Sequence, residues 1–276
     1  MSSILAGVPL HEGVRVLAEH PCGLVALDKP EGVLAHPNRS EDNARSLLTA
    51  NYSLEEEAYH VRDGAGGVRR VWLANRLDGP TSGVILLATN LAAADAARRE
   101  FARAAVTKRY VAVCAGRGAV TGQKGTWNDL LAKRGGGEEG VRSEPVRPGS
   151  VPRGPAVRAL TLFKVGSVAP GGLGLATFHL EPKTGRTHQL RVQCALRGFP
   201  ILGDRTYGDF ELNRALGAER GFRRLFLHAE SLEMAVDLGG AKVRFVAHAP
   251  VPPAFSEVMG GASGGPGDRG LGRVRL

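Results

Sequence analysis

The apolar residues of this chain come in short runs, and that pattern limits its possible folds more than any other feature. LVALD at 24–28 and VILLA at 84–88 read as buried strands, and RYVAVC at 109–114 alternates as a strand does. Further strand patterns lie at 159–165, 173–180, 225–232 and 243–248. Turn signals break them up, among them Lys29-Pro30-Glu31-Gly32 and Pro170-Gly171-Gly172. Helical signals are fewer. Residues 91–105, capped by Thr89 or Asn90, carry Leu91, Ala94, Ala97 and Phe101 at helical spacing. Shorter helices are expected at 43–50 and 187–197, and Pro252-Pro253 can open a last one. Many strands and few helices, without regular βαβ alternation, predict an α+β fold on a mixed sheet rather than a doubly wound one.

The length of 276 residues and a 43% hydrophobic content suffice for a proper core. The net charge of +9 favours an anionic partner, nucleic acid or an acidic membrane face, although an Arg-rich proteome gives the same surplus by default. No apolar run approaches the ~20 residues that span a bilayer. No signal-peptide pattern opens the chain, so a cytoplasmic protein is expected, and the Asn-X-Ser sites at Asn38 and Asn51 carry no weight. Cys22, Cys114 and Cys194 are far apart and form no CxxC pair, which predicts core thiols rather than disulfides or a zinc site. The expected organisation is a lead-in at 1–18, one domain at 19–260 and a disordered basic tail at 261–276. Two stretches read as basic loops. One is 60–70; the other is a Gly-, Pro- and Arg-rich insertion at 116–158, whose Arg142, Arg147, Arg153 and Arg158 suit either a phosphate-facing arm or plain solvation.

Two segments carry chemistry. NRLDGPTSG at 75–83 puts Asp78 on a loop that the strand VILLA then holds rigid, with Arg76 two residues away. Taken alone, Asp78 also fits a turn-forming aspartate before Gly-Pro. EPKTGRTHQLRVQCALRGFPILGDRTYG at 181–208 gathers Lys183, Arg186, His188 and Arg191 within nine residues, where a helix start offers free N–H groups to phosphate. His188 and Arg191 lie three apart on one helix face; a hydrogen-bonded structural role fits His188 better, and a functional role fits Arg191.

Together these segments resemble the RluA-type family of RNA pseudouridine synthases. The resemblance extends to LVALDKPEGVLAHP (24–37), VTKRYVAVCAG (106–116) and LHAESLEM (227–234), and so covers nearly the whole chain from about residue 20 to 260. It implies the pseudouridine synthase catalytic fold, with a mainly antiparallel mixed sheet flanked by helices and loops. It also implies isomerisation of uridine to pseudouridine in rRNA or tRNA, with no cofactor and no metal, by a monomer that binds no membrane. The family's catalytic aspartate maps onto Asp78, its tyrosine onto Tyr110, and the arginine that pairs with the aspartate onto Arg191. A neighbouring cation favours the ionised form that a nucleophile needs. Arg76 matches the arginine that occupies the stack when the target base flips out. Lys108, Lys183, Arg186 and His188 are expected to contact RNA.

The chain departs from the pattern at Asn75 and Gln193, where the family usually has His, and at Gly79-Pro80, which replaces a more polar pair. With about 20 residues before the first motif, the small N-terminal RNA-binding domain of many relatives is not expected. A non-catalytic RNA binder on the same fold would not need Asp78, Tyr110 and Arg191 together. A glycoside-type hydrolase would need a second paired carboxylate, which no motif supplies.

Overall fold

The structure, a computed structural model, describes residues 3–62, 66–135, 142–146, 149, 152, 154–170 and 173–260. The first half of the chain forms β1 (Arg15–Glu19), β2 (Leu24–Lys29), a 3-10 helix (Ser40–Arg45), β3 (Asn51–Ser53), β4 (Ala58–Arg62), β5 (Val68–Leu73), β6 (Ser82–Ala88), α1 (Leu91–Ala102) and β7 (Thr107–Ala115). The second half forms β8 (Lys124–Arg134), β9 (Arg142–Pro145), β10 (Ala156–Val168), β11 (Leu175–Pro182), α2 (Gln189–Leu196), α3 (Phe210–Glu219), β12 (Leu227–Leu238), β13 (Ala241–His248) and α4 (Ala254–Gly260).

The strands join in one 13-stranded sheet in the order β3-β4-β5-β6-β12-β7-β11-β10-β8-β9, with β2 added to β6, β1 to β2 and β13 to β12. Among the described residues only the β6–β12 strand pairing is parallel; the other strand pairings are antiparallel, so the sheet is mixed and mainly antiparallel as expected. The β6–β12 junction joins the two halves and depends on Gly83. Its φ is +111°, and a Cβ there would lie 2.2 Å from the Ala229 carbonyl oxygen, so only a bare backbone lets the strands meet. Because β2, β5 and β12 all pair with β6, every residue of β6 is buried, which explains the continuous apolar run. One apolar core fills the β2–β6 half; a second lies among β7, β11, α2 and α4.

Asn90 caps α1, its side chain accepting from Ala93 N at 2.9 Å. The helix buries Ala93, Ala94, Ala96 and Ala97, whereas Leu91, expected on the apolar face, is 53% exposed. Small side chains bring this helix close to the sheet, and a leucine in the first turn lies beyond the contact.

Three expectations are corrected. The helix expected at 43–50 is instead the 3-10 turn at Ser40–Arg45. Leu47 and Leu48 are extended and buried, because Leu34 N bonds Arg45 O at 2.9 Å and Leu47 N bonds Leu34 O at 2.8 Å. The 60–70 loop is mostly the β4–β5 hairpin. The long loop expected at 116–158 contains β8, β9 and the start of β10. In β8, Trp127 and Leu131 are buried on one face while charged residues on the other mask the pattern. Arg147, Arg153 and the expected tail at 261–276 lie outside the described residues. Cys114 and Cys194 are buried and Cys22 partly so. Among the described residues no helix is long and apolar enough to cross a membrane.

Candidate active site

Asp78 stands at the mouth of the loop between β5 and β6. Two bonds shape that loop: Thr81 N to Asp78 O at 3.0 Å closes the turn, and the Asn75 side chain accepts from Leu86 N at 2.7 Å. Asn75 therefore ties the loop to β6, a task that does not need a histidine.

Below the loop lies Lys29, wholly buried. Its Nζ donates to Pro30 O at 2.9 Å, Val33 O at 2.6 Å and Gly79 O at 2.9 Å. An ammonium has three N–H groups, and three carbonyls receive them. Burial pushes this amine down to about 7, against the opposing charges of Asp78 and Glu31. Gly32 N also bonds Gly79 O at 2.9 Å, so the Lys-Pro-Glu-Gly turn fixes the Asp78 loop through the one carbonyl.

The Asp78 carboxylate, its side chain 29% exposed, faces Arg191 and His188. Oδ2 accepts from Arg191 Nη1 at 3.2 Å and lies 3.7 Å from His188 Nε2. Arg191, from the first turn of α2, is itself clamped by Asp204: Nε to Oδ2 at 2.7 Å and Nη2 to Oδ1 at 2.8 Å, with both side chains buried. Asp204 Oδ1 also accepts from Thr206 N at 2.8 Å and Tyr207 N at 3.0 Å. Burial opposes the charge of Asp204, but Arg191 and the two backbone N–H groups outweigh it and hold the carboxyl below the usual carboxylate range.

His188 precedes α2 with a left-handed backbone, φ +53°. Ser143 N donates to Tyr207 Oη at 2.9 Å, and Tyr207 Oη lies 3.0 Å from His188 Nδ1. If the phenol donates onward, Nδ1 accepts and the ring proton sits on Nε2, facing Asp78. Burial lowers the His188 pKa despite the neighbouring carboxylate, which favours the neutral ring. Tyr110 projects from β7, whose register sets it beside Leu180 on β11 and Ala229 on β12. Burial raises its hydroxyl pKa and the charge of Asp78 raises it further.

At one end of the cleft three cations gather. Lys108 is brought down to about 8 by burial and then by the charges of Lys183 and Arg186; its Nζ donates to Thr184 O at 3.3 Å. Lys183 pairs with Glu181, and Arg186 donates to Arg158 O at 3.0 Å. Elsewhere on the cleft wall Arg76 is exposed, its Nη1 3.4 Å from His36 Nε2. All eight residues expected from the sequence line this one cleft of about 650 Å³.

Gln193 does not. It is buried and accepts from Thr161 Oγ1 at 2.6 Å while donating to Asp129 Oδ2 at 2.7 Å and Ala159 O at 3.1 Å, which locks α2 to β8 and β10. The residues that sequence reasoning missed are Asp204, Tyr207 and Lys29. Each lies inside a quoted motif, in ILGDRTYG or LVALDKPEG, but none was singled out.

The RNA pseudouridylate synthase family model matches residues 23–196. The tRNA pseudouridine synthase C of Salmonella typhi is 32% identical over 225 residues, covering 80% of each chain. An uncharacterized RNA pseudouridine synthase of Bacillus subtilis is 30% identical over 232 residues, covering 83% of this chain and 66% of its own. Among solved structures, human RNA pseudouridylate synthase domain containing 1 superposes with a TM-score of 0.60 at 25% identity, covering 88% of this chain and 86% of that one. A match over more than half the chain, and relatives of this similarity along most of it, show that this protein belongs to the RNA pseudouridine synthase family.

Proposed function

We propose that this RNA pseudouridine synthase acts on tRNA, with Asp78 as its catalytic carboxylate. The observation that carries the assignment is the Asp78 carboxylate, held 3.2 Å from Arg191 at the mouth of a cleft that Tyr110 also lines. The cleft volume of about 650 Å³ falls within the ~300–1,000 Å³ typical of small-ligand sites, suited to an extruded nucleoside. Support for tRNA rests on the 32% identity to a protein named for tRNA modification.

In this reading a flipped uridine enters with its base against Tyr110 and its ribose near Asp78. The bond from ribose C1′ to uracil N1 breaks, with Asp78 attacking C1′ or taking a proton from C2′. The uracil turns in place and C5 bonds C1′, displacing the Asp78 carboxylate in the first route or with Asp78 returning its proton to C2′ in the second; the C5 proton then leaves as N1 gains one. Nothing is oxidised or reduced, so the isomerisation balances without a cofactor or metal. Because burial keeps the Tyr110 hydroxyl protonated, it serves as a relay, giving up its own proton as it takes the one from C5. Lys108, Lys183 and Arg186 hold the RNA backbone. Three cations close together, one of them depressed by burial and then by the other two, are relieved by a phosphate. The protein works as a cytoplasmic monomer.

Tritium release from tRNA transcripts labelled at uridine C5 tests the assignment. Asp78→Asn should release none above background while still binding RNA; release near the parent rate refutes it. Mapping pseudouridines in total RNA with and without the gene identifies the substrate, and a missing site in rRNA alone would overturn tRNA.

A further inference from the structure

The cleft wall holds a feature that the chemistry above does not use. His36 follows the Lys-Pro-Glu-Gly turn and lines the cleft beside Arg76. Its ring lies parallel to Tyr52, with centroids 4.9 Å apart and planes 11° apart. Tyr52 in turn packs edge-on against Tyr59, at 4.9 Å and 64°. Tyr59 is wholly buried, and its hydroxyl donates to Ala35 O at 2.6 Å, one residue before His36. A column of three rings therefore runs from the core to the cleft wall.

The edges of the His36 ring are already occupied. A guanidinium only donates, so Arg76 Nη1, at 3.4 Å, requires Nε2 to be the acceptor. The proton then sits on Nδ1, which donates to Pro37 O at 3.0 Å. With both nitrogens engaged, the ring has no edge left for a ligand. What it offers the cleft is the π face turned away from Tyr52. A flat, rigidly backed ring at a nucleic-acid cleft suits a base by stacking, which tolerates any base identity.

We propose that His36, backed by Tyr52, is the platform on which a nucleobase adjoining the target uridine stacks. The proposal rests on the reading of this cleft as the uridine site. Arg76 and His36 stand side by side, so the neighbouring base would find a surface next to the gap left by the flipped uridine. Affinity for RNA would then draw on two parts of the cleft wall: cations for the phosphates, a ring for the base.

The test uses two nine-nucleotide single-stranded RNAs with one central uridine, carrying 2-aminopurine on its 5′ or its 3′ side. The parent protein should quench the fluorescence of at least one of them. His36→Ala should lose that quenching and bind about 5- to 150-fold more weakly, the range that one base–ring stack spans. His36→Phe keeps a ring face without the nitrogens and should retain quenching and binding. Thermal melts of both variants establish that they fold. Quenching and affinity unchanged in His36→Ala overturn the platform, and so does a His36→Phe that fails as badly as His36→Ala. Oligonucleotides that bind the parent without quenching overturn it as well. In each case the uridine-site reading is judged separately, by tritium release from the Asp78→Asn variant.

Discussion

Asp204→Asn should destabilise the fold more than its chemistry suggests. The Asp204 side chain is fully buried and accepts four hydrogen bonds: two from Arg191, at 2.7 and 2.8 Å, and one each from Thr206 N and Tyr207 N. Asparagine keeps the shape but turns one oxygen into a donor. Placed at Oδ2, the amide opposes Arg191 Nε; placed at Oδ1, it opposes Arg191 Nη2 and two backbone N–H groups. Either way Arg191 stays buried without a bidentate anion. Breaking a buried pair by removing one partner costs about 3–5 kcal/mol. At roughly 2–4 °C per kcal/mol for a domain of this size class, the melting midpoint should fall by about 6–20 °C. The pH dependence follows from the sign of the shift. Since the folded carboxyl lies below its unfolded value, its stabilisation is present above the unfolded pKa of about 3.9 and is lost as pH falls through the folded pKa. Midpoints followed by circular dichroism should therefore differ widely at pH 7 and converge in acid. A variant melting within about 2 °C of the parent at pH 7 would show that the Arg191–Asp204 pair does not hold this region together.

Two further outcomes follow from the cleft. Tyr110→Phe keeps the ring but loses the hydroxyl, so single-turnover tritium release with excess enzyme should slow by roughly 10²–10⁴-fold, the usual contribution of a proton-transfer group; a parental rate would reduce Tyr110 to packing. Lys108→Met removes one member of a cation cluster, and the slope of log affinity against log salt should become shallower by about 0.7–1; an unchanged slope would mean that Lys108 meets no phosphate.

The parts of the site that read directly from the sequence are those whose chemistry is local. Asp78, with Arg76 beside it and a buried strand after it, is conspicuous within nine residues, and the basic run from Lys183 to Arg191 is nearly as compact. Asp204 was hidden for a different reason. Its partner is 13 residues away, on the far side of a helix and a turn, and an aspartate after Leu-Gly reads as a turn residue until the guanidinium is seen. Ser143, Tyr207 and His188 form a chain only because β9 lies against the start of α2. The strand β8 escaped notice because Lys124, Asn128 and Arg134 on its open face drown the signal of Trp127 and Leu131. Helix α3 escaped because its apolar residues make no buried stripe: Phe210 is exposed, and Leu216 is the one large side chain of the helix that is buried.

One arginine serves two carboxylates unequally, and the inequality separates their roles. Arg191 makes two short bonds to Asp204, whose side chain has no exposure, and one longer bond of 3.2 Å to Asp78, whose side chain is 29% exposed. The anchor of the guanidinium is thus Asp204, and Asp78 borrows an orientation already fixed. Asp78→Asn therefore leaves Arg191 with its bidentate partner and should lower the melting midpoint less than Asp204→Asn does. Asp204→Asn should instead lose stability first, and lose turnover through the drift of Arg191 away from Asp78. Measuring both variants for melting and for tritium release separates the two effects. A stable but inactive Asp78→Asn beside an unstable Asp204→Asn is the expected pair. If Asp78→Asn were the less stable of the two, the anchoring order drawn from these distances would be reversed.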